Sequence, residues 1–265
     1  MVALNSEFNH HEKQNVCVIW QAKAGCTSVN KMFFEEEGLL EEARNYHPWI
    51  HSYRGYYSKR PDIKKEKGGA LSNKNTKWIQ FTVNPYRRAL SSYIHCSKDL
   101  NCARPSSMTD CFKMDSHNFS FKQFLAYLLE NKQCNIHFNS QVFHLYKEKD
   151  IEYIKMEKLD DMLPIINKKY NLNYTPKTSQ HHAKTHEDTN TFVGNKLWND
   201  VKDNIPSDYS YFYDKEIRDM VEQLYGLDIK VLNYTWEDFA PNRTLSQSKE
   251  EEEEEEEDDD NKDED

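Results

Sequence analysis

Residues 16–28 read VCVIWQAKAGCTS, and the first five constrain the chain more than any other stretch. VCVIW is apolar without alternation and partly β-branched, which suits a central parallel strand covered on both faces rather than a strand with one wet face. A short turn follows, after which Thr27 or Ser28 is placed to cap a helix running through Val29, Met32, Phe33 and Phe34 to a stop near Gly38. The same grammar recurs downstream. Residues 77–83 (KWIQFTV) read as a second strand ending at Asn84-Pro85, and residues 86–96 as a helix with Pro85 near its first turn.

Further along, residues 120–131 have Phe121, Phe124, Leu125, Leu128 and Leu129 at helical spacing. Residues 151–156 form a third candidate strand, followed by a helix over 159–170 whose start is blurred by Pro164. Residues 175–195 are polar and loop-like, and 207–226 read as an aromatic-rich helix ended by Gly226. Strands alternating with helices imply an α/β fold with a mostly parallel sheet. A chain of 265 residues with 37% hydrophobic and 13% aromatic content has material for one main domain, expected over residues 16–240 after a flexible N-terminus at 1–15.

The formal net charge of -10 is unevenly placed. Residues 249–265 hold fourteen acids against two lysines, leaving 33 basic and 31 acidic groups elsewhere. Such a block repels itself and has no apolar surface to bury, so residues 245–265 are expected to form a disordered acidic tail, read first as a solvating one. No segment approaches the roughly 20 apolar residues that span a bilayer, and the first residues lack the apolar core of a signal peptide. The chain as given reads as soluble, with its compartment left open between cytoplasm and secretory lumen.

Of the six cysteines, Cys17 and Cys26 lie in or beside the opening stretch and read as reduced. Cys96, Cys102, Cys111 and Cys134 could hold two disulfides in an oxidising compartment, and their spacing fits no zinc ribbon or finger. Triplets for N-glycosylation begin at Asn118, Asn173, Asn233 and Asn242, in a chain rich enough in asparagine to produce them by chance.

In parallel sheets, ligands bind beyond the carboxyl ends of strands, where loops meet helix N-termini. The loop at residues 21–28 occupies that place, and its amides, the helix dipole, the Thr27 and Ser28 hydroxyls and the Lys23 ammonium suit an anion. The triphosphate pattern GxxxxGK[ST] is missing: Gly25 stands alone and Lys23 precedes it. A magnesium-dependent kinase or NTPase is therefore disfavoured.

QAKAGCTS resembles the PKAGCTS loop that binds the 5'-phosphosulfate in carbohydrate sulfotransferases of the Golgi type, such as heparan sulfate 2-O- and chondroitin or dermatan 4-O-sulfotransferases. NPYRRALSSY (residues 84–93) resembles the same family's 3'-phosphate motif, RxPxxRxxSxY. HFNSQ (137–141) is similar to its HFxPQ, IEYIKMEKLDD (151–161) to its strand that ends in a glutamate before a helix, and YFYDKEIRDM (211–220) to a YYDKEIRDLF pattern. The resemblance runs in family order over about residues 16–234. It implies a P-loop-NTPase-like three-layer fold and transfer of a sulfuryl group from 3'-phosphoadenosine 5'-phosphosulfate (PAPS) to a carbohydrate hydroxyl, without a metal and without a nucleic-acid partner.

By the resemblance, Lys23, Ala24, Gly25, Cys26, Thr27 and Ser28 hold the 5'-phosphosulfate, and Arg88 and Ser91 the 3'-phosphate. Three positions depart from the pattern. Val83 replaces the arginine that usually precedes Asn-Pro, with Arg87 nearby as a substitute charge; Ala22 and Ser140 replace prolines. Negative charge develops on the bridging oxygen during in-line transfer, and Lys23 is the group to stabilise it. The acceptor hydroxyl needs a base, and histidine is the usual one near neutral pH. Two histidines lie between the nucleotide motifs in NYHPWIHSYRGYY: His51, expected on a strand edge entering the cleft, and His47 as the reserve. His137 is a further active-site candidate, against a hydrogen-bonded core histidine.

HHAKTH (His181, His182, His186) has i, i+4 histidines but no metalloprotease glutamate, and reads as a basic loop with Lys184 able to close over a nucleotide. Arg54, Lys59, Arg60, Lys64, Lys65 and Lys67 form a basic segment, either a solvated loop or a wall facing an anionic glycan. The competing reading is a non-catalytic homologue that binds a nucleotide or sulfated glycan, for which Val83 is the main support.

Overall fold

Side chains alternate between the two faces of a sheet even where the sequence shows no alternation. In the computed structural model, which describes residues 7–100, 118–131, 135–176 and 191–241, the run at 16–20 is strand β2 (Val16–Trp20), buried throughout. Val16, Val18 and Trp20 enter one hydrophobic cluster, and Cys17 and Ile19 another. A strand with two dry faces needs covering layers on both sides.

The domain expected over 16–240 divides into two compact units. The first draws on residues 1–84, 135–184 and 230–233, the second on 85–134, 185–229 and 234–265. The first unit holds a four-stranded sheet in the order β1-β2-β3-β4. Strands β2, β3 (Lys77–Thr82) and β4 (Ile151–Lys155) are parallel, with Val18 opposite Ile79 and Ile79 opposite Glu152. Helices α1 (Cys26–Glu36) and α7 (Leu159–Tyr170) cover one face through Val29, Met32, Leu163 and Ile166. Phe143 and Ala70, the latter on α4 (Pro61–Ser72), pack on the other. The expected three-layer α/β arrangement is what forms.

Strand β1 (Glu7–His11) lies where the sequence suggests a flexible N-terminus, and it pairs antiparallel with β2 along the sheet edge. Its polar residues hid it. Phe8 packs edge-on against Trp78, with ring centres 5.1 Å apart, while His10 meets Glu66 at 2.8 Å. On the opposite face His11 is fully buried between the Glu37 carboxylate and the Tyr174 hydroxyl, 2.7 Å from the latter.

Between β2 and β3 the chain makes four helices: α1, then α2 (Leu40–Tyr46), α3 (Ile50–Tyr57) and α4. A satellite core of Phe33, Phe34, Ala43, Ile50, Tyr53, Tyr57 and Ile63 joins them. The basic segment from Arg54 to Lys67 is consequently helical for most of its length, not a loop.

The second unit is helical. It contains α5 (Pro85–Leu100), α6 (Phe121–Asn131), the short α8 (Trp198–Val201), a 3-10 turn over Tyr209–Phe212 and most of α9 (Lys215–Leu232). The helix expected over 207–226 is thus split, and Gly226 does not end it. Ile217, Val221, Tyr225 and Asp228 are all buried at helical spacing, so the packed face carries the helix past the glycine. A kink at Tyr225 marks the passage. The acidic tail, HHAKTH and Lys184, Cys102, Cys111, Cys134 and Asn242 lie outside the described residues.

Candidate functional site

The loop after β2 bends through two left-handed residues. Lys23 has φ 66° and Gly25 φ 72°. Glycine takes that conformation at no steric cost, whereas a lysine there is strained, and strained non-glycine residues gather at functional sites. Ala24 donates its amide to the Gln21 carbonyl at 3.1 Å, closing the turn. The first bond of the α1 ladder runs from Val29 N–H to Gly25 O at 3.0 Å, so the Cys26 and Thr27 amides stand in the first turn, outside the helix's own ladder. Neither Thr27 nor Ser28 caps the helix as expected: the cap position is Gly25, with no side-chain bond. The loop is laid closely on the end of β4, since a Cβ on Gly25 would come within 2.6 Å of Met156 Cε.

The Thr27 hydroxyl instead meets His51 Nε2 at 3.0 Å, with Cys26 Sγ 3.8 Å from the same nitrogen. The other ring nitrogen, Nδ1, lies 2.6 Å from Arg54 Nη1. Arginine has only donors, so Nδ1 accepts; the single proton of a neutral ring is then on Nε2, which donates to Thr27 Oγ1. Arg54 also stacks over the Trp20 indole, 3.9 Å from its centre, and so stands above the C-terminal end of β2. Arg54 belongs to the basic segment expected as a solvated loop or a wall facing a glycan. The structure brings it to the loop after β2.

His51 therefore reaches the loop, but from helix α3 and not from a strand edge. The i, i+3 spacing of His51 and Arg54 was the available signal, masked by Pro48-Trp49 and a run of tyrosines. His47 follows the last residue of α2 and is exposed, and its Nδ1 accepts the Trp49 amide at 2.9 Å. That bond is local to the junction of α2 and α3 and does not reach the loop. His137 closes a local turn, with Nδ1 2.5 Å from Asn135 Oδ1.

The NPYRRALSSY stretch begins where β3 ends. Gln141, the glutamine of HFNSQ, is fully buried and brackets the Val83 peptide: its Oε1 accepts the Val83 amide at 3.0 Å and its Nε2 donates to the Val83 carbonyl at 2.6 Å. Glu157, the glutamate after β4, accepts the Asn84 amide at 2.7 Å. Both motif residues thus fix the backbone at the exit of β3. In the sequence these two residues are motif letters without a visible task.

In the second unit, Arg88 and Ser91 are three residues apart on α5. Arg88 is 1% exposed, 4.0 Å from the buried Asp228 carboxylate, with its guanidinium 5.7 Å from the Tyr225 ring centre. Ser91 is half-buried and Arg87 exposed. Tyr86 opens the helix and donates to Glu222 Oε1 at 2.6 Å, while Tyr213 donates to the Tyr86 carbonyl at 2.6 Å. Cys96 is buried on the same helix; Cys17 and Cys26 are free thiols. Burial pushes the Cys17 thiol up, so it has no nucleophilic character.

Among the described residues no group of three His, Cys, Asp or Glu side chains is placed to hold a metal ion, and no helix is long and apolar enough to cross a membrane. Comparison with curated proteins and with solved structures returns no match. The sulfotransferase family model matches residues 7–235, a span that includes the loop after β2, His51, the bracketed end of β3 and the opening of α9. With most of its length matched in this way, the chain belongs to the sulfotransferase family.

Proposed function

We propose that the protein transfers the sulfuryl group of PAPS to a hydroxyl of a carbohydrate. The observation that carries this reading is the loop itself: a left-handed Lys23, a left-handed Gly25 and the open first turn of α1, with a histidine hydrogen-bonded to Thr27. The amides and hydroxyls of residues 24–28 suit the 5'-phosphate, and Lys23 the bridging oxygen. Arg88 and Ser91 are proposed for the 3'-phosphate. The acceptor oxygen attacks sulfur as the sulfur–oxygen bond to the 5'-phosphate breaks. Negative charge develops on that oxygen as the bond breaks, so the ammonium of Lys23 stabilises the transition state more than the ground state and lowers the barrier.

The acceptor hydroxyl loses its proton in this step, and His51 is the proposed recipient. For Nε2 to take that proton it must first release its own, by moving it to Nδ1 as Arg54 turns away. A second reading of His51 follows from the pairing actually present. With Nδ1 facing a guanidinium and Nε2 donating to Thr27, the ring positions the Thr27 hydroxyl instead of acting as base. The two roles separate by rate profile. Loss of a base removes the acid limb of kcat against pH in His51→Ala, whereas loss of a positioning residue raises the donor KM and leaves that limb in place.

The donor is tested by melting. The desulfonated nucleotide, adenosine 3',5'-bisphosphate, should raise the melting temperature while ATP with magnesium does not; the reverse result overturns the sulfotransferase reading. Lys23→Ala should lower transfer by about 100-fold or more with the fold intact. Alanine retains the strained left-handed backbone, so the comparison isolates the ammonium. Bisphosphate binding without transfer to any glycan would favour the non-catalytic homologue, which the apolar Val83 supports.

A further inference from the structure

Three large aromatic side chains stand in solvent on the α2–α3 hairpin: Tyr46 at 53% exposure, Trp49 at 56% and Tyr56 at 46%. Aromatic residues of this size ordinarily bury about 150–250 Å² each, and a cluster left outside marks a binding surface. The group is ordered from below. Tyr53, fully buried, packs on Phe34 of α1 with ring centres 5.0 Å apart and touches Tyr46 at 5.7 Å and Tyr56 at 5.9 Å. Tyr46 and Tyr56 stack at 5.0 Å with 22° between their planes. Tyr53 and Tyr56 lie three residues apart on α3, and Trp49 immediately precedes its first turn.

Through Trp49 the hairpin reaches the loop after β2. The Trp49 indole meets the His51 ring edge-on at 5.1 Å, and His51 is bonded to Thr27. We propose that Trp49, with the Tyr46–Tyr56 stack, is the platform on which a pyranose ring of the acceptor lies. The proposal rests on the sulfuryl-transfer reading, because it explains how a hydroxyl would be presented beside His51. A pyranose offers a face of weakly positive C–H bonds to the negative faces of the rings, while its hydroxyls remain at the edge. The charges nearby favour a ring over a bare anion. Arg44 is paired with Glu41 and Arg60 with Asp62, so these two cations are already neutralised, and the rings offer flat apolar surface beside them.

The test is calorimetric titration with unsulfated hexasaccharides of alternating uronate and hexosamine, performed without nucleotide. The wild-type protein is expected to bind one of them, Trp49→Ala and Tyr56→Ala to bind it at least tenfold more weakly, and Trp49→Phe to stay within threefold. The bisphosphate-induced melting shift should be unchanged in all three variants, which also shows that they fold. Failure of the wild type to bind any hexasaccharide, or binding by Trp49→Ala within twofold of wild type, overturns the platform. Failure of the bisphosphate shift in the wild type overturns the donor reading alone, because the sugar titration does not use it.

Discussion

Gly25 shows how one position joins conformation to chemistry. It starts α1, holds φ at 72° and lets Met156 lie against the loop. Adding a methyl there meets two obstacles of different kinds. The Met156 contact is with the end of a flexible side chain and yields readily. The left-handed backbone does not, and costs an L-residue about 1–2 kcal/mol. Gly25→Ala should therefore lower the unfolding free energy by about that amount in urea titration, and Met156→Ala in the same chain should restore less than half of it. A larger recovery would place the cost in the contact. At this scale the sequence was legible where chemistry is local. Lys23, Gly25 and Thr27 belong to eight consecutive residues whose order already suggests an anion. Arg54 was not legible, because its meeting with His51 and Trp20 depends on α3 being a helix and on where that helix packs.

Elements are fixed at their ends by side chains from elsewhere in the sequence. The exit of β3 is held by Gln141, whose amide takes both the donor and the acceptor of Val83. Leucine at 141 has similar bulk but leaves a buried N–H and C=O without partners, each costing about 1–3 kcal/mol. Gln141→Leu should therefore destabilise by about 2–6 kcal/mol and weaken bisphosphate binding; a loss below 1 kcal/mol in denaturant titration, on the order of a single ordinary hydrogen bond, would show that the bracket is not needed. The opening of α5 is held by Glu222 on α9. Burial disfavours its charge, but hydrogen bonds from Tyr86 and Arg218 outweigh that and hold the carboxyl below its usual value. A depressed carboxyl stabilises the fold above its unfolded pKa of roughly 4.3 and loses that contribution as pH falls through the folded value. Glu222→Gln should melt below wild type at pH 7, with the gap closing below about pH 4; a gap independent of pH would mean packing, not charge, is lost. Strands β2, β3 and β4 were legible from their apolar runs. Helices α2 to α4 were not, because their core face is built from tyrosines and isolated aliphatics among charges, a pattern that reads as loop. Gly226 misled for a related reason: the buried face through Val221, Tyr225 and Asp228 overrode its weak helix propensity.

For the molecule as a whole, the alternation of strands and helices implied an α/β sheet, and the sheet formed with the expected parallel core. The division into two units was hidden because each core is assembled from distant segments: His11 meets Tyr174 in the first unit, and Tyr86 meets Trp236 at 5.2 Å in the second. Charge is the one property of the whole chain that sequence states completely. The formal net charge is -10, and deleting residues 249–265 leaves +2. A change of that size alters the long-range field felt by an anionic glycan, over a distance of about 10 Å at 0.1 M salt. A chain ending at Ser248 should bind an immobilised sulfated polysaccharide more tightly than the full chain, eluting at higher sodium chloride. The difference should disappear when both are loaded near 1 M salt, where the screening length falls to about 3 Å. The described fold uses none of these residues, so the melting temperature should move by no more than about 2 °C, less than roughly 1 kcal/mol for a chain of this size. Equal elution of the two chains would mean that the acidic block does not oppose a polyanion at the surface that binds it, and its charge would then act on solubility alone.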